Sequence, residues 1–263
     1  MKSFKKMQKF LTYNDYYEYI YSITKSIIVS RETISFICGK NNNIFTEITD
    51  KDRQKIENII KELKNNKPIQ YIIGEWDFYG LTFKINENVL IPRADTEKLV
   101  DLALNEHGNN ILDLCSGSGC IGISILKNKP EAFCTFIDIS EAAMEIAVAN
   151  AKIHSVENRC EFIIGDVICG MRLSGEYDII LSNPPYIKAC DIKRLDKSVK
   201  DYEPRLALDS GESNFTFYNA IINNFEKYLK ITGVFIFEAP SNVTEERLNS
   251  TRRTVVVDIG TLK

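Results

Sequence analysis

The chain has 263 residues, enough for one large domain or for two of unequal size. Its 44% hydrophobic and 26% charged residues are ordinary for a soluble globular protein, and no stretch approaches the ~20 apolar residues of a membrane span. The formal net charge of −3 is unevenly spread, since residues 1–70 carry 13 Lys and Arg against 8 Asp and Glu and the rest carry 20 against 28. The excess in the first part is either an ordinary solvated surface or a contact for an acidic or phosphate-bearing partner, and it falls short of a dedicated nucleic-acid-binding surface.

The basic start (Lys2, Lys5, Lys6, Lys9) is followed by Asp15 and Glu18, which interrupt any run that could act as a signal peptide, so a cytoplasmic protein is expected. Asn14 is read as the cap of a helix whose Tyr17, Ile20, Tyr21, Thr24, Ile27 and Ile28 share one face. Ser30 is read as the cap of a short second helix, ended by Gly39 and the Asn41, Asn42, Asn43 run. Thr49 to Asp52 forms a capping signal before Ile56, Ile59, Ile60 and Leu63, which recur at helical spacing until Asn65, Asn66 and Pro68. From Gln70 the period shortens. Tyr71 to Gly74 and Leu81 to Ile85 read as two strands turning at Gly80. The predicted organisation is a helical part over 1–69, a β-hairpin linker over 70–90 and a main domain over 91–263. In the main domain apolar runs at 110–114, 132–137, 161–164, 178–181, 233–237 and 254–257 alternate with helical segments, one of them capped by Ser140 with Met144, Ala147, Val148 and Ala151 inward. Such alternation predicts an α/β, Rossmann-like parallel sheet covered on both faces.

Seven cysteines, an odd number without a CxxC pair, are expected as reduced thiols, and His107 and His154 have no metal-ligand spacing, so no metal site is expected. The first run of the main domain ends in Asp113, Leu114, Cys115, Ser116, Gly117, Ser118 and Gly119 and enters a helix, the place where an open sheet binds its ligand. Gly117 and Gly119 let the backbone approach a ligand. Gly117, Gly119 and Gly122 also fit the dinucleotide pattern GxGxxG, which keeps a nicotinamide oxidoreductase open as an alternative. Against it stands Asp113, a carboxylate ahead of the glycines that suits the ammonium and sulfonium of S-adenosylmethionine better than a pyrophosphate. Asp138, followed by Ile139, and Asp166, followed by Val167, end the next two strands, suited to ribose hydroxyls and to the adenine amino group respectively.

The fourth strand runs into Asn183, Pro184, Pro185 and Tyr186. Two prolines remove two backbone donors, so the turn offers acceptors. The Asn183 side-chain oxygen and the Pro184 carbonyl suit the two N–H bonds of a planar NH2 group, and Tyr186 suits stacking on it. As such a nitrogen takes up a methyl group its N–H bonds become stronger donors, so fixed acceptors favour the transition state over the ground state.

With these motifs, the chain resembles the HemK/PrmC family of peptide chain release factor glutamine N5-methyltransferases. The resemblance runs from about Glu47 to Asp258 and includes Pro68 to Gly74, Val89 to Arg93, Thr96-Glu97, the glycine loop, Asn183 to Tyr186, and Tyr202 to Leu208. It implies a small helical domain that docks a release factor, a methyltransferase domain acting on the glutamine of its Gly-Gly-Gln loop, an S-adenosylmethionine site at Cys115 to Gly119, Asp138, Val167 and Asn183, and a glutamine site at Asn183 to Tyr186. A monomer is expected. Three departures stand out. Cys115 replaces the first loop glycine, a change that is tolerated if its φ is negative. Asp209-Ser210-Gly211 replaces a Gly-Gly. Glu238-Ala239-Pro240 replaces Glu-x-Gly, and the last antiparallel strand of the family is expected to be short or missing. A ribosomal-protein glutamine methyltransferase, a nucleic-acid adenine N6-methyltransferase and an inactive binding module remain as alternatives.

Overall fold

The computed structural model describes residues 10–39 and 43–260, so Lys2, Lys5, Lys6, Lys9, Asn41 and Asn42 lie outside the described residues. The chain divides into two compact units between Gly74 and Glu75.

The first unit is helical: α1 Tyr13–Thr24, α2 Ile27–Cys38, α3 Asp50–Lys64 and α4 Ile69–Ile73. The cap of α1 is Thr12 rather than Asn14. The Thr12 hydroxyl accepts from the Asp15 N–H while Asp15 accepts from the Thr12 N–H, so both orphan donors are satisfied at once. The single face expected from Tyr17 to Ile28 is broken at Lys25, which takes a left-handed φ of 56°. Ser26 caps α2, Ser30 lies inside it, and Ile27 and Ile28 are exposed. Side chains from α1, α2 and α3 (Tyr16, Ile20, Ile34, Ile56, Ile60) form one core, with Ile59 buried beside them. The strand expected at Tyr71 to Gly74 is helix α4: Pro68 at its cap has φ −57° and Gly74 closes it at φ 84°. The paired β-branched Ile72 and Ile73 gave the strand signal, and the helix punctuation on either side outweighed it.

The second unit opens with a hairpin, β1 Glu75–Phe78 and β2 Leu81–Lys84. Tyr79 and Gly80 both have positive φ, the geometry that matches strand twist in a two-residue turn. The hairpin is fastened rather than free. Asn150, fully buried, exchanges hydrogen bonds with the Lys84 backbone and donates to the Ser118 carbonyl at 2.9 Å.

After α5 Glu97–Asn105 come β3 Asn110–Leu114, α6 Cys120–Asn128, β4 Phe133–Asp138, α7 Glu141–Ile153, β5 Cys160–Ile164, β6 Tyr177–Ser182, α8 Thr216–Phe225, β7 Leu229–Ala239 and β8 Arg253–Asp258. One-turn helices at Lys197–Lys200 and Arg205–Leu208 lie between β6 and α8. The sheet order is β5-β4-β3-β6-β7-β8 and every pairing is parallel. One face packs on α5, α6 and α7 with Phe78 and Phe83 from the hairpin, and the other on α8 with Tyr177, Leu229 and Val243. Ser140 caps α7 as expected; Met144, Ala147 and Ala151 are buried, whereas Val148 is half-buried. Among the described residues this sheet has no antiparallel strand. The outer strand β8 pairs with β7, and Glu245 accepts from the Val256 N–H on it at 3.0 Å, occupying one of the donors that would leave an edge open.

Candidate active site

Strand order reverses between β3 and β6, so the connections that follow them leave toward opposite faces of the sheet and open a crevice beyond the carboxyl ends, where an open α/β sheet binds its ligand. The Ser182 hydroxyl at the end of β6 donates to the Leu114 carbonyl at the end of β3 at 2.7 Å and fixes the two strand ends together. A cavity of about 250 Å³ opens there. Of the residues singled out in the sequence, Cys115, Ser116, Gly117, Ser118, Asp138, Ile139, Asp166, Val167, Asn183 and Pro185 line it.

The loop from β3 to α6 is shaped by its backbone. Gly117 donates to the Asp138 carboxylate at 2.8 Å, Ser116 donates to the Ile137 carbonyl at 3.1 Å, and Gly119 caps α6 at φ 75°. The three glycines of the GxGxxG pattern do different things. A side chain at Gly117 would meet no protein atom, so the space beside it is open. A Cβ on Gly122 would stand 2.5 Å from Phe136 Cε1 and 2.8 Å from Cys134 Sγ, so this glycine is what lets α6 lie against β4. Gly119, expected to contact the cofactor, does not line the cavity: a Cβ on it would come within 3.2 Å of Ala147 on α7, so it serves helix packing instead. The pattern is therefore an instruction for helix packing as much as for ligand approach.

Cys115 departs from expectation: its φ is +58°, the left-handed region that glycine occupies without strain. Its thiol is pushed up by burial. Asp113 departs too. It is fully buried behind the loop and does not line the cavity; one oxygen accepts from the Gly122 N–H at 3.0 Å and the other has no partner. Burial raises its carboxyl to about 7. The Ser116 hydroxyl, buried on the cavity wall, is likewise without a partner.

Asp138 accepts from the Gly117 and Ser140 N–H groups at 2.8 and 2.9 Å, and burial raises its pKa against the backbone hydrogen bonds from Ser140, Gly117 and Ile139. A carboxylate has about four acceptor sites, so room for a further donor remains. Asp166 accepts from the Ile168 N–H at 2.8 Å. Arg93 is the one Lys or Arg on the wall, and it is paired at 2.6 Å with Glu203, whose pKa burial raises. A wall with three carboxylates (Asp138, Asp166 and Asp209, the last paired with Arg205 at 2.9 Å) and one neutralised cation is poorly matched to phosphate and well matched to a cation carrying hydroxyl groups.

At the far end, Asn183 and Pro185 face the cavity, whereas Pro184 is buried off it. Tyr186 does not line the cavity either. Its ring packs with the core beneath the sheet, its carbonyl accepts from Asn214 at 2.8 Å, and burial raises its phenol pKa. Stacking of Tyr186 on a bound group is therefore not what this arrangement offers; the turn residues after β6 alternate outward and inward, and the ring falls on the core side. Sequence reading missed Thr96, Phe217, Ile168 and Ala143 as wall residues and gave no specific role to Pro92, Arg93, Pro204, Leu206 and Ala207. The Val89 to Arg93 and Tyr202 to Leu208 segments were the available signal for the second group; for Phe217, on α8, there was none.

The open parallel sheet, the acid-lined crevice at its reversal and a match of residues 94–198 to the Methyltransferase small domain family model together define a methyltransferase. The chain is 40% identical over 198 residues to a release factor glutamine methyltransferase of Thermodesulfovibrio yellowstonii, covering 73% of this chain and 70% of the relative. It is 36% identical over 236 residues to one of Clostridium acetobutylicum, covering 85% and 82%. A third relative of that name, from Fusobacterium nucleatum, is 38% identical over 234 residues, or 87% of this chain and 64% of the relative, a little under two thirds of its length. The chain belongs to the release factor glutamine methyltransferase family.

Proposed function

We propose that this chain transfers the methyl group of S-adenosylmethionine to the side-chain amide nitrogen of a glutamine in a peptide chain release factor, with the helical unit as its docking part. The observation that carries the reading is the placement of Asn183 on the wall of the same crevice as the glycine loop, Asp138 and Asp166. The residues fit the cofactor. The open space beside Gly117 and the unpartnered Ser116 hydroxyl accommodate its amino-acid end, Asp138 keeps lone pairs for ribose hydroxyls, and Ile139 and Ile168, exposed by 52% and 39% at the mouth, offer apolar surface to adenine.

When bound, S-adenosylmethionine supplies an electrophilic methyl carbon on a positively charged sulfur. The chain's part is to hold a weakly nucleophilic amide in line with it. The Asn183 oxygen accepts one N–H of the glutamine amide, and that hydrogen bond strengthens as the nitrogen gains positive charge. With the cofactor bound, its sulfur would keep the electron pair of the S–C bond as the amide nitrogen takes the methyl group, and the surplus amide proton would leave to solvent. No strong base is needed, and most of the acceleration comes from positioning.

The test offers radiolabelled S-adenosylmethionine with release factors, ribosomal proteins and DNA in parallel. Label on the release-factor glutamine is the expected result. Label on a ribosomal protein or in DNA would reject the acceptor, and label nowhere would point to an inactive binding module.

A further inference from the structure

Behind Asn183 stands a chain of buried polar groups. Glu238, at the end of β7 and 2% exposed, accepts from the Thr96 hydroxyl at 2.5 Å. Thr96, itself 3% exposed, accepts through the same oxygen from the Asn183 side-chain NH2 at 3.3 Å. The Asn183 amide also favours the charged form of Glu238, while burial opposes it. The Tyr218 hydroxyl, from the opposite layer, donates to the Glu238 carbonyl at 2.9 Å and holds the strand end in place.

We infer that Thr96 and Glu238 are positioning residues that set which end of the Asn183 amide faces the crevice; this rests on the acceptor role given to Asn183 above. The logic is one of directional donors. A carboxylate accepts only, so the single hydroxyl proton of Thr96 must point at Glu238. With its proton committed, the Thr96 oxygen has lone pairs alone for Asn183, and Asn183 must answer with its NH2. The carboxamide is planar, so its oxygen is turned to the other side, toward the cavity. A reversed Asn183 would set oxygen against the Thr96 lone pairs and place an N–H donor where the incoming amide brings donors of its own. Without Glu238 the Thr96 hydroxyl can face either way, and both orientations become comparable.

The experiment compares Thr96→Val, Thr96→Ser and Glu238→Gln in the full chain, with a release factor as acceptor and S-adenosylhomocysteine as the binding probe. Thr96→Val keeps the shape and removes the relay; kcat should fall at least tenfold while S-adenosylhomocysteine affinity stays within about twofold. Thr96→Ser should restore kcat to within about threefold of wild type. Glu238→Gln can both donate and accept, and should lose an intermediate several-fold. The Thr96→Val effect should vanish in an Asn183→Ala background, which a purely structural role would not produce. Wild-type kcat in Thr96→Val, or equal losses with and without Asn183, would overturn the inference. Should Thr96→Val not fold, Glu238→Gln decides on the same two readouts. If wild type labels another acceptor, the release-factor reading fails while this comparison is run unchanged on that acceptor; if wild type labels none, both fail.

Discussion

The two ends of the crevice are built by different means. At the glycine loop the backbone does the shaping: Gly117 and Gly119 take positive φ, Gly117 bonds Asp138, and Gly122 lets α6 touch β4. At Asn183 the shaping is by side chains, through Thr96 and Glu238, which lie 87 and 55 residues away in sequence. A backbone-built site tolerates little change in its glycines but leaves chemistry to the ligand. A side-chain-built site depends on hydrogen-bond direction, so it can lose catalysis while keeping its shape.

The largest effect that would separate the two ends is Asn183→Ala. Transfer should fall by 10²- to 10³-fold, about 3 kcal/mol by comparison with single charge-stabilising contacts in other enzymes, with S-adenosylhomocysteine binding changed only a few-fold in calorimetry. Loss of cofactor binding in proportion to rate would dissolve the distinction. Next is Gly122→Ala, where the new methyl collides with Phe136 and Cys134; about 1–3 kcal/mol of stability should be lost, read as a lower urea midpoint. Gly117→Ala meets no protein atom but pays for φ +54°, about 1–2 kcal/mol. It should weaken cofactor binding by more than it lowers stability, the reverse of Gly122→Ala, and equal effects on both quantities would refute the division of labour between the glycines.

A further effect concerns pH. Burial lifts the Asp113 carboxyl from 3.8 to about 7, so folding favours its protonated form. Its contribution to stability is complete below about pH 4 and is lost as pH rises toward 7. Asp113→Asn should flatten that part of the stability profile, measured by urea unfolding from pH 4 to 8; an unchanged slope would mean that the carboxyl is not the group responsible. The smallest expected change is Cys115→Gly. Relief of the left-handed φ should raise Tm by a few degrees, against a partial offset from the freer unfolded chain. A lower Tm would show that packing of the thiol outweighs the strain.

How legible the site was follows from the same contrast. The glycine loop, Asp138, Asp166 and Asn183 are local in sequence, each at the end of an apolar run, and the structure gathers all of them except Gly119 and the Asp113 side chain onto one crevice. Tyr186 was misplaced because the sequence fixes that a ring follows two prolines but not which side of the turn it takes. Thr96 carried a motif signal without a role, and Glu238 looked like part of a departure at the end of the sheet. Neither could be connected to Asn183 before the strands were laid side by side.

The sequence by itself determined the alternation of strands and helices, the caps at Thr49 and Ser140, and the residue types at the strand ends, because periodicity, capping and turn chemistry act over a few neighbours. Tertiary structure decided the left-handed φ of Cys115, the helical state of Ile69–Ile73, the burial of Asp113 and the Thr96–Glu238 relay. These depend on which surfaces meet across the fold. Hydrogen-bond direction and desolvation are properties of groups brought together from distant parts of the chain, and no local pattern encodes them.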